Sequence, residues 1–362
     1  MADERVSDEG APDPDDATPS EDERAGTESG SGEPTTQGAD GRGVVGHVVS
    51  VFWNRRERRL RLPWRFAVGA GLLVFTNLLL GSVLIATLGG IGGVVGQSLF
   101  FVTVVISLPT ASYLVGRRPI RELGLDVDRQ WLRDAGFGLA LGAVLPTLLV
   151  GVTFLAGWLR VTGTFVQDAD AGIAFGSLST PASLLAVAVF FLGVAVSEEL
   201  LVRGYLLTNL AEALGGFERI GRRWAILIAT LATAALFGLL HATNPNASVL
   251  SITNITLFGI LLGLAYVWTD RLGIAIGLHL AWNAVVGAVY GLPVSGITVG
   301  VAVLATETTG PALLTGGAFG PEGGLFVLLA LVVGTGLTAW WVRRAYGDLA
   351  LRESVAVPTL RE

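Results

Sequence analysis

Eight apolar windows set the limits on this 362-residue chain, near 66–88, 94–115, 136–159, 182–207, 224–242, 248–268, 272–291 and 324–342. Each is close to the ~20 residues that cross a bilayer as a helix rising about 1.5 Å per residue. Inside lipid every backbone amide must be satisfied within the protein, so windows of this kind fold as helices. Composition agrees: 15% of residues are charged, where a soluble domain carries about 25%. The expected fold is all-α, a polytopic transmembrane bundle of about eight spans. Two further apolar stretches fall short of a span. "VVGHVVSVFW" (44–53) reads as an interfacial segment, and "VSGITVGVAVLA" (294–305) is too short to cross alone.

Charge divides the chain. Residues 1–43 hold 13 Asp/Glu against 3 Arg, are rich in Gly, Ser and Pro, and have almost no large apolar side chains. Such a segment cannot bury a core and is expected to be a disordered acidic tail. Residues 44–65 form a basic juxtamembrane segment, 66–342 the bundle, and 343–362 a C-terminal tail. All 24 basic residues are arginine. "RRERRLRLPWR" precedes the first span. Further arginines cluster after the second, fourth, sixth and eighth (Arg117, Arg118, Arg219, Arg222, Arg223, Arg271, Arg343 and Arg344 among them). The opposite connections hold Asp168, Asp170, Glu307 and Glu322, with Arg160 the basic exception. This alternation predicts both termini on the cytoplasmic side of the cell membrane. Pairs such as Gly138/Gly142, Gly259/Gly263 and Gly273/Gly277 read as helix-packing positions.

The absence of cysteine excludes disulfides, Cys-ligated metals and a thiol nucleophile. The chemistry must come from the few ionisable groups within the spans. "SEELLVR" places Glu198, Glu199 and Arg203 in an apolar run, where unpaired charge is costly. Glu199 and Arg203 stand four apart on one face and can pair. Glu198 points about 100° away, free for other work such as general base catalysis. "FGLLH" brings Phe237 and His241 to one face, and "HLAWN" does the same for His279 and Asn283. Imidazole can orient water, move a proton or bind metal, and an amide N–H suits a developing oxyanion. His47 has no partner in the sequence pattern, and Asn77 and Asn254 read as hydrogen-bonders to neighbouring helices.

Together "EELLVR", "FGLLH" and "HLAWN" resemble the EExxxR, FxxxH and HxxxN/D motifs of the CPBP intramembrane proteases. That family includes the type II CAAX prenyl endopeptidases and the Abi-type bacteriocin-processing proteins. The resemblance covers roughly 180–290, the expected protease core. It implies an endopeptidase in which Glu198 activates water and His241 helps hold or deprotonate it. His279 and Asn283 would stabilise the oxyanion, and Glu199 with Arg203 would orient the site. The implied substrates are membrane-associated proteins or peptides, of which prenylated CAAX sequences are one class.

Glu198, His241 and His279 could together ligate a zinc ion, leaving water in its fourth position. The pattern is not the HExxH zinc helix, and metal-free glutamate catalysis is the preferred reading. A rival function is a transporter or immunity-type scaffold using the same polar residues as a relay, though no inverted repeat is evident. Membrane lipid is an expected partner and nucleic acid is not; the oligomeric state is left open. Straight helices drawn on the apolar windows leave His241 deeper than Glu198 and His279. Either "GGFERIGRR" is membrane-embedded or the window boundaries are displaced.

Overall fold

A computed structural model describes residues 50–88, 93–174 and 178–361. The acidic tail, His47 and most of the 44–53 segment lie outside them. Among the described residues, seven helices are long and apolar enough to span a membrane. They are α1 (Leu62–Leu88), α2 (Gly93–Leu114), α3 (Arg129–Leu155), α4 (Thr180–Glu199), α5 (Gly221–Leu240), α6 (Val249–Thr269) and α8 (Val327–Tyr346). The seventh apolar window instead forms a shorter helix, α7 (Gly273–Ala284), extended by a wide π-turn over Val285–Val289.

α7 is short because it is central. Ten of its twelve residues are buried, so no face needs to match the thickness of a bilayer. Small residues admit it. A Cβ at Gly138 or Gly142 of α3 would lie 2.3 Å from Ile274 O or Leu278 O, and one at Gly277 would lie 2.3 Å from Ala135 O. Two glycine pairs, Gly138/Gly142 and Gly273/Gly277, thus face each other across the α3–α7 contact. Around it the largest apolar cluster gathers Leu141 and Leu145 of α3, Val187 and Phe190 of α4, Leu262 of α6, Leu278 and Trp282 of α7, and Leu331 of α8. Outward faces carry exposed Phe75, Leu78, Leu185, Val189, Leu329 and Val332. An apolar exterior over a packed interior is the arrangement a lipid solvent selects, and the chain is an integral membrane protein.

The fold is not purely helical. Strands β1 (Trp53–Asn54) and β2 (Arg59–Leu60) make a small antiparallel pair. β3 (Leu159–Gln167) and β4 (Val301–Thr308) make a longer one. The 294–305 stretch is therefore turn up to Gly300 and strand from Val301, where it pairs with β3. At the arginine-rich end, Arg59, Arg65 and Arg118 all converge on Glu212. This joins the β1–β2 hairpin and the start of α1 to the chain beyond α4. The three guanidinium groups are buried, so losing the carboxylate would leave them uncompensated. The C-terminal segment is docked, not free: Val355 and Ala356 pack with Leu207, Ala211, Ile226 and Leu272. Arg352 Nε donates to Trp268 O at 2.9 Å.

Candidate active site

The helix bearing the two glutamates does not stop at the membrane window. After Glu199 it widens into a π-helical stretch, Leu200–Leu207, then resumes as Thr208–Gly215. Wide turns of this kind recur at functional sites. Here its carbonyls are taken by side chains: Thr208 Oγ1 donates to Arg203 O at 3.1 Å and Asn209 Nδ2 to Tyr205 O at 2.8 Å. Gly204 lets the 120–123 turn approach, since a Cβ there would lie 2.8 Å from Leu123 O.

The same extension removes the depth conflict. Glu198 stands 17 residues before Gly215 and His241 20 residues after Gly221. At about 1.5 Å each, both lie about 26–30 Å above the turn that joins them. The helices run past the apolar windows that end at 207 and begin at 224, to Gly215 and from Gly221. His279 is only six residues into α7. It nevertheless stands beside the glutamates, its Nδ1 2.9 Å from Glu199 Oε1.

The two neighbouring glutamates sit in different surroundings. The Glu199 side chain is 0% exposed and that of Glu198 27%. Arg203 donates to Glu199 Oε1 at 2.8 Å, and His279 Nδ1 lies 2.9 Å from the same oxygen. A carboxylate only accepts, so Nδ1 carries the proton and Nε2 is turned toward Glu198, 3.8 Å away. His241 Nδ1 is 2.8 Å from Phe237 O, again an acceptor, which leaves its Nε2 with a free lone pair in the neutral ring. The Phe237 ring sits among these groups, 4.8 Å from the His241 ring, 6.1 Å from that of His279 and 4.5 Å beneath the Arg203 guanidinium. The ring thus contacts the cation and the His241 imidazole, while the carbonyl of the same residue fixes the tautomer of His241.

Glu198, His241, His279 and Asn283 all line one cavity of about 480 Å³. Asn283 has no hydrogen-bond partner within the described protein, so its amide is available to a ligand. Glu198 Oε2 likewise has no hydrogen-bond partner among the described residues. The remaining wall is mostly apolar, with Phe100, Phe101, Phe190, Phe191, Leu201 and Leu240. The arrangement thus holds a carboxylate and two tautomer-fixed imidazoles beside an amide donor, next to an apolar chamber. Those are the parts needed to activate water against a carbonyl.

The three proposed zinc ligands, Glu198, His241 and His279, all line the cavity. Glu198 Oε2 and His279 Nε2 stand 3.8 Å apart, near the spacing of two ligands each about 2 Å from one metal ion, and a ring whose Nδ1 is bonded to a carboxylate is a usual form of metal-binding imidazole. Among the described residues no group of three or more His, Asp or Glu is spaced to hold a metal ion.

Comparison with known families bears on the same stretch. Residues 180–285 match the model of the type II CAAX prenyl endopeptidases, Rce1-like. The likeness is confined to this segment, less than a third of the chain. It runs from the start of α4 to the end of α7 and contains every motif residue considered above. The family is one of intramembrane proteases of the CAAX type. No curated protein and no solved structure gave a match.

Two cavity residues carry no sequence signal of their own. Trp282 lies between the two marked positions of "HLAWN". Glu322 is a single acid in the glycine-rich "GGAFGPEGG", outside the Rce1-like segment, and on charge pattern alone it reads as a loop residue. It is buried, accepts from Trp282 Nε1 at 2.9 Å and faces the cavity. Burial pushes its carboxyl above the usual carboxylate range, against the opposing hydrogen bond from Trp282. Asn254 anchors the same loop, donating to Glu322 O at 2.8 Å and Gly324 O at 2.9 Å. Asn77 makes no hydrogen bond among the described residues.

Proposed function

We propose that the chain is an intramembrane endopeptidase that hydrolyses peptide bonds of membrane-associated substrates. The observation that carries this reading is the convergence, within the Rce1-like segment, of Glu198, His241, His279 and Asn283 on one cavity. In this reading Glu198 accepts a proton from a water molecule as it attacks the scissile carbonyl. His241 Nε2 accepts a hydrogen bond from that water and orients it. Asn283, with His279 Nε2 when the ring is protonated, donates to the developing oxyanion. Glu198 then returns its proton to the leaving amine.

Glu199 and Arg203 are positioning residues that fix the ring of His279. The apolar chamber favours a substrate with an apolar or lipidated segment beside its cleavage site, a prenylated CAAX sequence being one such class. The alternating arginines support a cell-membrane protein with both termini cytoplasmic.

The test is cleavage of quenched peptides, prenylated CAAX sequences included, by the purified chain in lipid. Wild type should cleave, and Glu198→Gln should lose about 10²–10⁴-fold, the range of general base catalysis, without loss of folding. Equal turnover by both proteins, or none by wild type on any peptide, overturns the reading.

A further inference from the structure

Two carboxyl groups line this cavity, Glu198 and Glu322. Glu198 approaches from α4, with Glu199 fully buried beside it in the chain. Glu322 approaches from the opposite side, on a one-turn 3₁₀ segment, Pro321–Gly323, just before α8. Its position is over-determined. Oε1 accepts from Trp282 Nε1 at 2.9 Å, and Oε2 lies 3.5 Å from the Ser295 N–H. The backbone is strapped to α6 by Asn254. The loop itself depends on glycine: Gly320 has φ 98°, and a Cβ there would lie 2.0 Å from Pro293 O.

The partner of Glu322 gives it a role. His279, Trp282 and Asn283 occupy positions i, i+3 and i+4 of α7 and therefore share a face. At one end of that face His279 is held by Glu199; toward the other, Trp282 is held by Glu322. Trp282 is 1% exposed, and its ring packs 5.4 Å from that of Phe258, which in turn lies 6.2 Å from the His279 ring. Asn283, which has no hydrogen-bond partner among the described residues, depends on these neighbours for its position. Immediately beyond it the helix opens into the Val285–Val289 π-turn, a feature that recurs at functional sites.

We infer that Glu322 is a positioning residue of the active site: through Trp282 it locks the catalytic face of α7, and with it Asn283, to the loop before α8. This rests on the protease reading above. The effect should appear in turnover more than in binding, because the residues it aligns act on the transition state. A displacement of about 1 Å at such a site can cost up to about 10²-fold.

The experiment is a kinetic double-mutant cycle on a cleaved peptide, with Glu322→Ala, Trp282→Phe, the double variant and Glu322→Gln. Each is also unfolded in mixed detergent micelles so that only folded protein is compared. Both single variants should lower kcat about tenfold or more with KM changed less than about twofold. The double variant should be no worse than the weaker single variant, because both remove one interaction. Glu322→Gln keeps an acceptor oxygen for the indole and should recover most of the kcat lost in Glu322→Ala.

Losses that multiply in the double variant overturn the inference. So does a change confined to KM, or a Gln variant as poor as Ala. These results leave the protease reading intact, since wild type still cleaves and Glu198→Gln does not. A wild type with no turnover overturns both.

Discussion

Arg203→Met tests whether the buried pair beneath His279 is held as described. Glu199 is 0% exposed and is held by Arg203 at 2.8 Å and His279 at 2.9 Å. Methionine fills much of the volume of the arginine stem but removes the charge. Breaking a buried pair from one side typically costs about 3–5 kcal/mol, because the remaining ion is left without compensation. Loss of the cation–π contact with Phe237, at 4.5 Å, adds about 0.5–1 kcal/mol. Arg203 NH2 also donates to Gly259 O at 3.1 Å, a carbonyl within α6 that keeps its helical partner, so little is added there. The expected loss is about 4 kcal/mol, roughly a thousandfold in the ratio of folded to unfolded protein. Glu199→Gln in that background removes the stranded charge while keeping an acceptor for His279, and should restore about 2 kcal/mol. The assay is reversible unfolding in mixed micelles followed by tryptophan fluorescence. A loss under about 1 kcal/mol for Arg203→Met, or a double variant less stable than Arg203→Met, would refute the reasoning.

Two further outcomes follow from the packing and the titrating groups. Gly277→Ala should destabilise by about 1–3 kcal/mol, because its Cβ would meet backbone at Ala135 O, 2.3 Å away, and should lower cleavage by displacing His279. Gly71→Ala, with open space around it, is the control; equal effects in unfolding and cleavage would contradict the tight α3–α7 contact. Asp270 has its carboxyl pushed up from 3.8 to about 6 by burial, opposed by a hydrogen bond with Ser354 and reinforced by the charge of Glu122. The folded state then binds this proton more tightly than the unfolded chain, so stability is greatest below about pH 4, falls as pH rises toward 6, and is level above. At about 1.4 kcal/mol per unit the fall is about 3 kcal/mol. Asp270→Asn should abolish that slope, since asparagine tolerates the left-handed backbone (φ 56°) found there; an unchanged slope in unfolding free energy against pH would show that another group titrates.

What the sequence determined by itself is what depends on neighbours within a few turns. The apolar windows set the helices because lipid leaves backbone amides no other solution. The four-residue spacings set which side chains share a face, so Glu199 could be paired with Arg203, and His279 grouped with Asn283, before any packing was known. Only the tertiary structure decided how those faces meet. The helix of α4 runs on to Gly215, and Glu198, His241 and His279 line one cavity, because helices are not obliged to end where their apolar windows do. The bond between Glu199 and His279 joins residues 80 positions apart and leaves no periodic trace in the chain. β3 and β4 find each other across more than 130 residues. Glu322 reaches the cavity through a glycine-rich loop, where local sequence specifies backbone freedom but not destination.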